Sequence, residues 1–246
     1  FKNEEIMKAL GNTLILACLA ALVSTVIGTL GAIGVHYCKK GFKTFIENIN
    51  QIPVVNAEIV IAMSLTVMFV FLGNNFFGGE SIFSFWTLLI GHCCLAIPFV
   101  YLNVKPKLLQ MDPAMYEAAM DLGCSPTKAL HKVVLPQILP GIFSGLLLSF
   151  TLSLDDFIVT AFTRGSGLLS GTSQIETLST LVQANIKKGA VPPEMRALTT
   201  IIFLVVLAVV VSYSIVVNVQ AKKSKSKFIG THAKRRNTFN VPTPLD

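Results

Sequence analysis

Apolar residues along the chain gather into five long runs, at 14–35, 54–72, 84–104, 138–161 and 199–219, none of which contains Lys or Arg. About 20 apolar residues of helix cross a bilayer, so each run is long enough to span with some tilt. Helix is the expected form, because in lipid every backbone polar group must be satisfied within the segment. The alternating dyads of a membrane β-barrel are missing from the sequence. The pattern predicts an all-α, polytopic transmembrane bundle over 1–219. Hydrophilic segments follow the first four runs, at 36–53, 73–83, 105–137 and 162–198, and a tail occupies 220–246.

Composition supports the lipid reading. Of 246 residues, 52% are hydrophobic and 13% charged, with a mean hydropathy of +0.66. A soluble domain carries about 25% charged residues. The net charge of +7 invites a nucleic-acid partner, but seven of the 20 Lys and Arg lie in the last 25 residues. Most of the others lie in short segments beside apolar runs. That is a pattern of membrane topology. Segments 36–53, 105–137 and the tail carry three, four and seven cationic residues; 1–13, 73–83 and 162–198 carry two, none and four. The positive-inside rule puts the first set in the cytoplasm, with the C-terminus inside and Phe1 outside. An outside start without a cleavable signal predicts one further span ahead of Phe1, giving six in the parent. The tail is basic, then Pro- and Thr-containing, and is expected to be disordered. The five Cys match no zinc or CxxC spacing and read as small apolar residues of membrane helices.

Segment 105–137 has the punctuation of a helical elbow. Asp112 is a good N-cap and Pro113 suits a first helical turn. Residues 114–122 are mostly good helix formers, and Gly123 can end the helix in a left-handed conformation. Ser125 and Pro126 restart a second short helix. Such an ordered elbow can transmit force, which a floppy loop cannot.

The run Glu117-Ala118-Ala119, then Gly123, then Leu135-Pro136, resembles the EAA loop of binding-protein-dependent ABC importer permeases. The likeness extends over about 12–217. It departs modestly at Cys124, where Ala is common, and at Leu130, where Phe is common. The resemblance implies the type I permease fold, with Glu117, Ala118, Ala119 and Gly123 coupling the chain to a cytoplasmic ATPase. The chain has no GxxxxGK[ST] stretch, so it is not expected to hydrolyse ATP itself; no cofactor is expected in this chain, and ATP and Mg would be bound by partner ATPase subunits.

Three acids lie in or beside the apolar runs: Glu58 in the inner third of its run, Asp155 and Asp156 in the outer third of theirs. A charge at the bilayer centre costs about 2.5–3.5 kcal/mol on insertion scales, less off-centre. Thr151 and Ser153 could bond such groups locally. Alternatively, acids facing a wet cavity attract ammonium groups, more strongly as the dielectric falls. An anion importer would place Lys, Arg or helix N-termini there instead. Trp86 and Phe157 could add cation–π contacts, or simply pack. His92, alone within a run, receives no role.

The stretch 149–157, Ser-Phe-Thr-Leu-Ser-Leu-Asp-Asp-Phe, resembles PotC-type spermidine/putrescine permeases, as do Phe85-Trp86, His92, Pro98-Phe99, Pro193-Glu194 and Ala197-Leu198-Thr199. The resemblance implies a polyamine importer in a bacterial cell membrane, with a substrate pathway past Asp155, Asp156, Glu58, Trp86 and Phe157. It also implies a PotB-like second permease, two PotA-like ATPases and an external PotD-like binding protein. Two other readings are an importer of Fe³⁺, sulfate or an amino-acid-like solute, and an energy-independent channel or membrane anchor.

Overall fold

The structure, a computed structural model, describes residues 4–76, 82–164, 175–189 and 192–238. Helix α1 is Glu4–His36, and starts ahead of the apolar run because Glu4 and Glu5 in its first turn complement the helix dipole. Then come α2 (Lys40–Val55), α3 (Glu58–Phe76), α4 (Phe85–Gln110), α5 (Pro113–Asp121) and α6 (Pro126–Ala129). A wide π turn, Leu130–Val134, leads into α7 (Leu135–Asp155), followed by α8 (Ile158–Thr163), α9 (Leu178–Lys187) and α10 (Pro193–Thr238). Among the described residues, five stretches are long and apolar enough to cross a membrane: Glu4–His36, Glu58–Phe76, Phe85–Gln110, Pro126–Asp155 and Met195–Val216. The fold is the all-α polytopic bundle that the five apolar runs predict.

The chain divides into two units, Phe1–Arg196 and Ala197–Asp246. In the first, α1, α4 and α7 pack against one another. Glycine lets the backbones approach there: a Cβ at Gly28 would stand 2.8 Å from Val100 Cβ, and one at Gly145 3.2 Å from Val100 Cα. Membrane helices have little hydrophobic drive to associate, so close packing of this kind supplies much of the cohesion. Below Val100 a core of Ile33, Tyr101, Val104, Leu108, Val134 and Ile138 joins α1, α4 and the start of α7.

The helices extend beyond the predicted runs at several ends, and the organisation within the runs and segments also differs. Segment 36–53 holds α2, whose Ile46 packs on that core. Lys105 Nζ lies 2.8 Å from Glu47 Oε1, tying α2 to α4. The Lys105 ammonium holds the Glu47 carboxyl below the usual carboxylate range. The second run, 54–72, is split: α2 ends at Val55, Asn56 is extended (ψ 148°), and α3 starts at Glu58. Pro53 in the last turn of α2 lacks the N–H that would continue the helix. The fourth run, 138–161, is also split, between Asp155 and Ile158.

The second unit is the body of α10. It continues as helix to Thr238, where an irregular tail was predicted; the Ala and Lys residues after Gln220 are good helix formers and no proline intervenes. Residues 239–246 of that tail, and Gly165, Gly167 and Gly171 of the segment 162–198, lie outside the described residues.

Candidate functional site

The break between α7 and α8 is built from polar side chains in an apolar surrounding. Asp156 (8% exposed) follows the last residue of α7 with ψ 117°, and its carboxylate accepts from the Val159 and Thr160 N–H groups, both at 3.3 Å. It thereby satisfies the first donors of α8, which have no partner within the helix. From α4, His92 (3% exposed) reaches both sides of the break. Its Nδ1 is 2.8 Å from Ser153 Oγ on α7, and its Nε2 is 2.9 Å from Thr160 Oγ1 on α8 and 3.4 Å from Asp156 Oδ2. Thr160 Oγ1 donates to the Asp156 carbonyl (3.1 Å), so that oxygen is free to accept from Nε2–H. Ser153 O–H then donates to Nδ1. A neutral ring protonated at Nε2, assigned from this network, satisfies every group.

The segment before α9 is strapped to the same place. Ser179 Oγ donates to the Asp156 carbonyl (2.9 Å), Leu178 N–H to Thr13 Oγ1 (2.8 Å), and Asn12 Nδ2 to the Glu176 carbonyl (3.1 Å). The start of α9 is thus held to α1 and to the α7–α8 break.

The predicted pathway residues separate in this geometry. Asp155 and Glu58 are exposed, while Asp156 is buried and bonded. The sequence reading sets Glu58 and the Asp pair in opposite thirds of their runs. The structure instead sets the start of α3, which carries Glu58, beside the break that carries the Asp pair. The reason is that α3 starts only at Glu58 and runs beside α8, with Ala62 against Val159 and Thr66 Oγ1 donating to the Phe162 carbonyl (3.2 Å). Phe157 sits in the break, half-buried. Trp86 (63% exposed) stands six residues, about 9 Å of helix, from His92, with its ring edge-on to Phe85. No contact joins it to the acids among the described residues. His92 went unassigned in the sequence because its partners are 61 and 68 residues away.

The elbow forms as its punctuation predicts. The Asp112 carboxylate accepts from Ala114 N–H (3.0 Å), and Pro113 opens α5. Cys124 N–H bonds to the Ala119 carbonyl (3.1 Å) and Gly123 N–H to that of Met120 (2.9 Å), the paired bonds of a Schellman ending, with Gly123 at φ +84°. Of the predicted coupling residues, Glu117, Ala118 and Gly123 are exposed, while Ala119 is buried. Three exposed apolar side chains, Met115 and Met120 on α5 and Leu122 at its C-terminal end, join that surface. Tyr116 meets the Tyr37 ring at 5.5 Å, seating the elbow beside the end of α1. The second short helix passes through the π turn directly into α7. Pro136 has no N–H to give to the Lys132 carbonyl, and the extra residue absorbs this. Replacing Asp112 by Ala should weaken α5 by about 1 kcal/mol. Faster amide exchange across α5, with the membrane helices unchanged, would report it.

The comparisons with known proteins agree with this architecture. Residues 24–226 match the family described as binding-protein-dependent transport system inner membrane component. The spermidine/putrescine transport system permease protein PotC of Escherichia coli K12 is 32% identical over 220 residues, covering 89% of this chain and 78% of that one. PotC of Haemophilus influenzae is 35% identical over 211 residues, covering 86% and 76%. The putrescine transport system permease protein PotI of Escherichia coli K12 is 32% identical over 206 residues, covering 82% and 69%. Among solved structures, a bacterial ABC transporter involved in the import of the acidic polysaccharide alginate superposes with a TM-score of 0.71 over 87% of this chain and 79% of that chain. An amino acid ABC transporter does so with 0.60 over 85% and 91%. Both are 19% identical, so they speak for the fold alone. The chain belongs to the family of binding-protein-dependent transport system inner membrane components, the permease subunits of ABC importers.

Proposed function

We propose that this permease imports polyamines, with spermidine or putrescine as cargo. One observation carries the reading: Glu58 and Asp155, both exposed, gather at two helix breaks around a third acid. Among the described residues neither has an ion-pair partner. Unpaired acids in a lipid-embedded bundle repel anions and attract a cargo bearing several ammonium groups. The 32–35% identity to the PotC proteins supports the same cargo.

In this mechanism Asp155 and Glu58 meet the ammonium groups, while Asp156 holds the break that presents Asp155. Phe157 flanks the acids and Trp86 stands farther out, each offering an aromatic face to a passing cation. The cargo needs attraction enough to enter and weak enough binding to leave. Energy comes from ATP and Mg bound by two PotA-like ATPases, which dock on Glu117, Ala118, Gly123 and the exposed Met115, Met120 and Leu122. Buried Ala119 shapes that surface from within. Closure of the ATPases moves the elbow, and α7, joined to it through the π turn, carries the movement to the break. A PotB-like permease completes the pathway. A PotD-like protein delivers cargo on the side of α9, opposite a cytoplasmic C-terminus.

Uptake of labelled spermidine tests the cargo. A charge-assisted hydrogen bond is worth about 1.5–3 kcal/mol, so Asp155→Asn should lower uptake about tenfold or more. Wild-type uptake by Asp155→Asn and Glu58→Gln, in complexes assembled normally, would remove these acids from the pathway and the polyamine reading with them. The elbow has its own test. A β-branched residue at φ +84° is strained by about 1–2 kcal/mol. Gly123→Val should therefore loosen the turn and uncouple ATP hydrolysis from stimulation by the loaded binding protein. Unchanged stimulation would take Gly123 out of the coupling surface.

A further inference from the structure

We propose that His92 is a positioning residue of the transport step: it clamps α4 to both sides of the α7–α8 break and so fixes where Asp155 stands against the cargo. The inference rests on the reading of Asp155 as a cargo contact.

The two ring nitrogens divide their work between the two halves of the broken helix. Nδ1 holds Ser153, two residues before Asp155, on the α7 side. Nε2 holds Thr160 and approaches Asp156 on the α8 side. The backbone at the break does not fix its own geometry. Asp156 and Phe157 take ordinary φ and ψ values, and neither glycine nor proline occurs between Ser149 and Thr163. No backbone breaker forces the chain out of helix here, although Asp156 is a residue that favours a helix start. The turn is therefore specified by two devices: the Asp156 caps within it, and His92 reaching in from α4.

The neighbouring residue is shaped to let this clamp close. A Cβ at Gly91 would stand 2.7 Å from Val159 Cγ1 and 3.2 Å from Thr163 Oγ1. Glycine there brings α8 against α4 within reach of the imidazole. Thr87, one turn earlier, shares its hydroxyl proton between the Ser84 carbonyl (2.8 Å) and the Thr163 carbonyl (3.3 Å), a weaker tie from the far end of α8 to the same helix. Nothing in this network touches Asp155 itself, which stays exposed beside the clamped residue. His92 thus acts on cargo only through the placement of its neighbour. A packing histidine would need neither the separate partners on α7 and α8 nor the gap at Gly91.

A double-mutant cycle tests this in the assembled transporter with its ATPases and loaded binding protein. His92→Ala is expected to lower spermidine uptake about tenfold, while stimulation of ATP hydrolysis by the binding protein stays within about twofold, because the elbow is untouched. Asp155→Asn added to His92→Ala should cause little further loss, since both changes remove one function. Losses that multiply would overturn the positioning link. So would wild-type uptake by His92→Ala when Asp155→Asn alone is impaired. Wild-type uptake by Asp155→Asn alone would instead sink the cargo reading beneath it. If His92→Ala fails to assemble, His92→Gln, whose amide reaches the Nε2 position, enters the same cycle and is read by the same criterion.

Discussion

Replacing Asp156 by alanine is expected to remove most of the assembled protein from the membrane, whereas the same change at Asp155 leaves assembly intact. The two residues are adjacent and chemically identical, so the difference lies wholly in their surroundings. Asp155 is exposed at the end of α7. Asp156 is buried, and its carboxylate satisfies two N–H groups of α8 and faces His92. An alanine there leaves both donors without partners. Each buried unsatisfied group costs about 1–3 kcal/mol, so the loss should reach about 2–6 kcal/mol. That rivals the whole net stability of many domains, about 5–15 kcal/mol. Asp156→Asn should fall between, because its carbonyl oxygen still accepts one hydrogen bond while its amide adds donors facing Thr160 and His92. Yield and thermal unfolding of the complex in detergent are the measurements. Equal stability of Asp155→Ala and Asp156→Ala would show that the α8 cap contributes nothing.

The contrast between the two aspartates marks how far the sequence could be read. The apolar runs are visible because lipid demands some twenty predominantly apolar residues in a row, and five such stretches appear among the described residues. The elbow is visible because each of its devices is local: Asp112 caps a residue two positions on, and Gly123 ends the helix it follows. The break at Asp156 is different. No glycine or proline announces it, and its one local sign is Asp156, an N-cap type of residue set in an otherwise apolar run. The other cause is a histidine 64 positions earlier, and one sequence alone does not pair residues at that range. Helix α2 was missed for another reason. Its apolar residues Phe42, Phe45, Ile46, Ile49 and Ile52 recur at three- and four-residue steps, a helical signal too short and too mixed with Lys, Asn and Gln to read as a span; partly buried Ile46 and the Glu47–Lys105 contact seat it on α4. Glu58 and the Asp pair looked distant because the sequence reading began α3 four residues too early and ran α7 straight through the break.

The seam between α1, α4 and α7 yields the other large effect. Gly141→Ala should destabilise the bundle more lastingly than Gly28→Ala, although each adds a single methyl group. At Gly28 the new Cβ would meet Val100 Cβ at 2.8 Å and Cγ1 at 2.9 Å, which are side-chain atoms, with the Ile97 carbonyl at 3.1 Å. At Gly141 it would meet the Asn103 carbonyl oxygen at 2.8 Å, which is backbone, as well as Lys107 Cγ at 2.8 Å. Overpacking costs about 1–3 kcal/mol and more where neighbours cannot move. A side-chain clash can be relieved by trimming the neighbour; a backbone clash can be relieved only by moving a helix. Gly28→Ala combined with Val100→Gly should therefore recover stability relative to Gly28→Ala alone, with the lost Val100 packing setting the limit of recovery. Gly141→Ala combined with Lys107→Ala should recover little. The helix that must move in the second case is α4, which carries His92 three turns away, and α7, which carries Ser153 and Asp155. Uptake by Gly141→Ala should thus fall further than its loss of assembled protein accounts for. Uptake that merely tracks the amount of complex would mean that the seam stabilises the bundle without setting the geometry of the break.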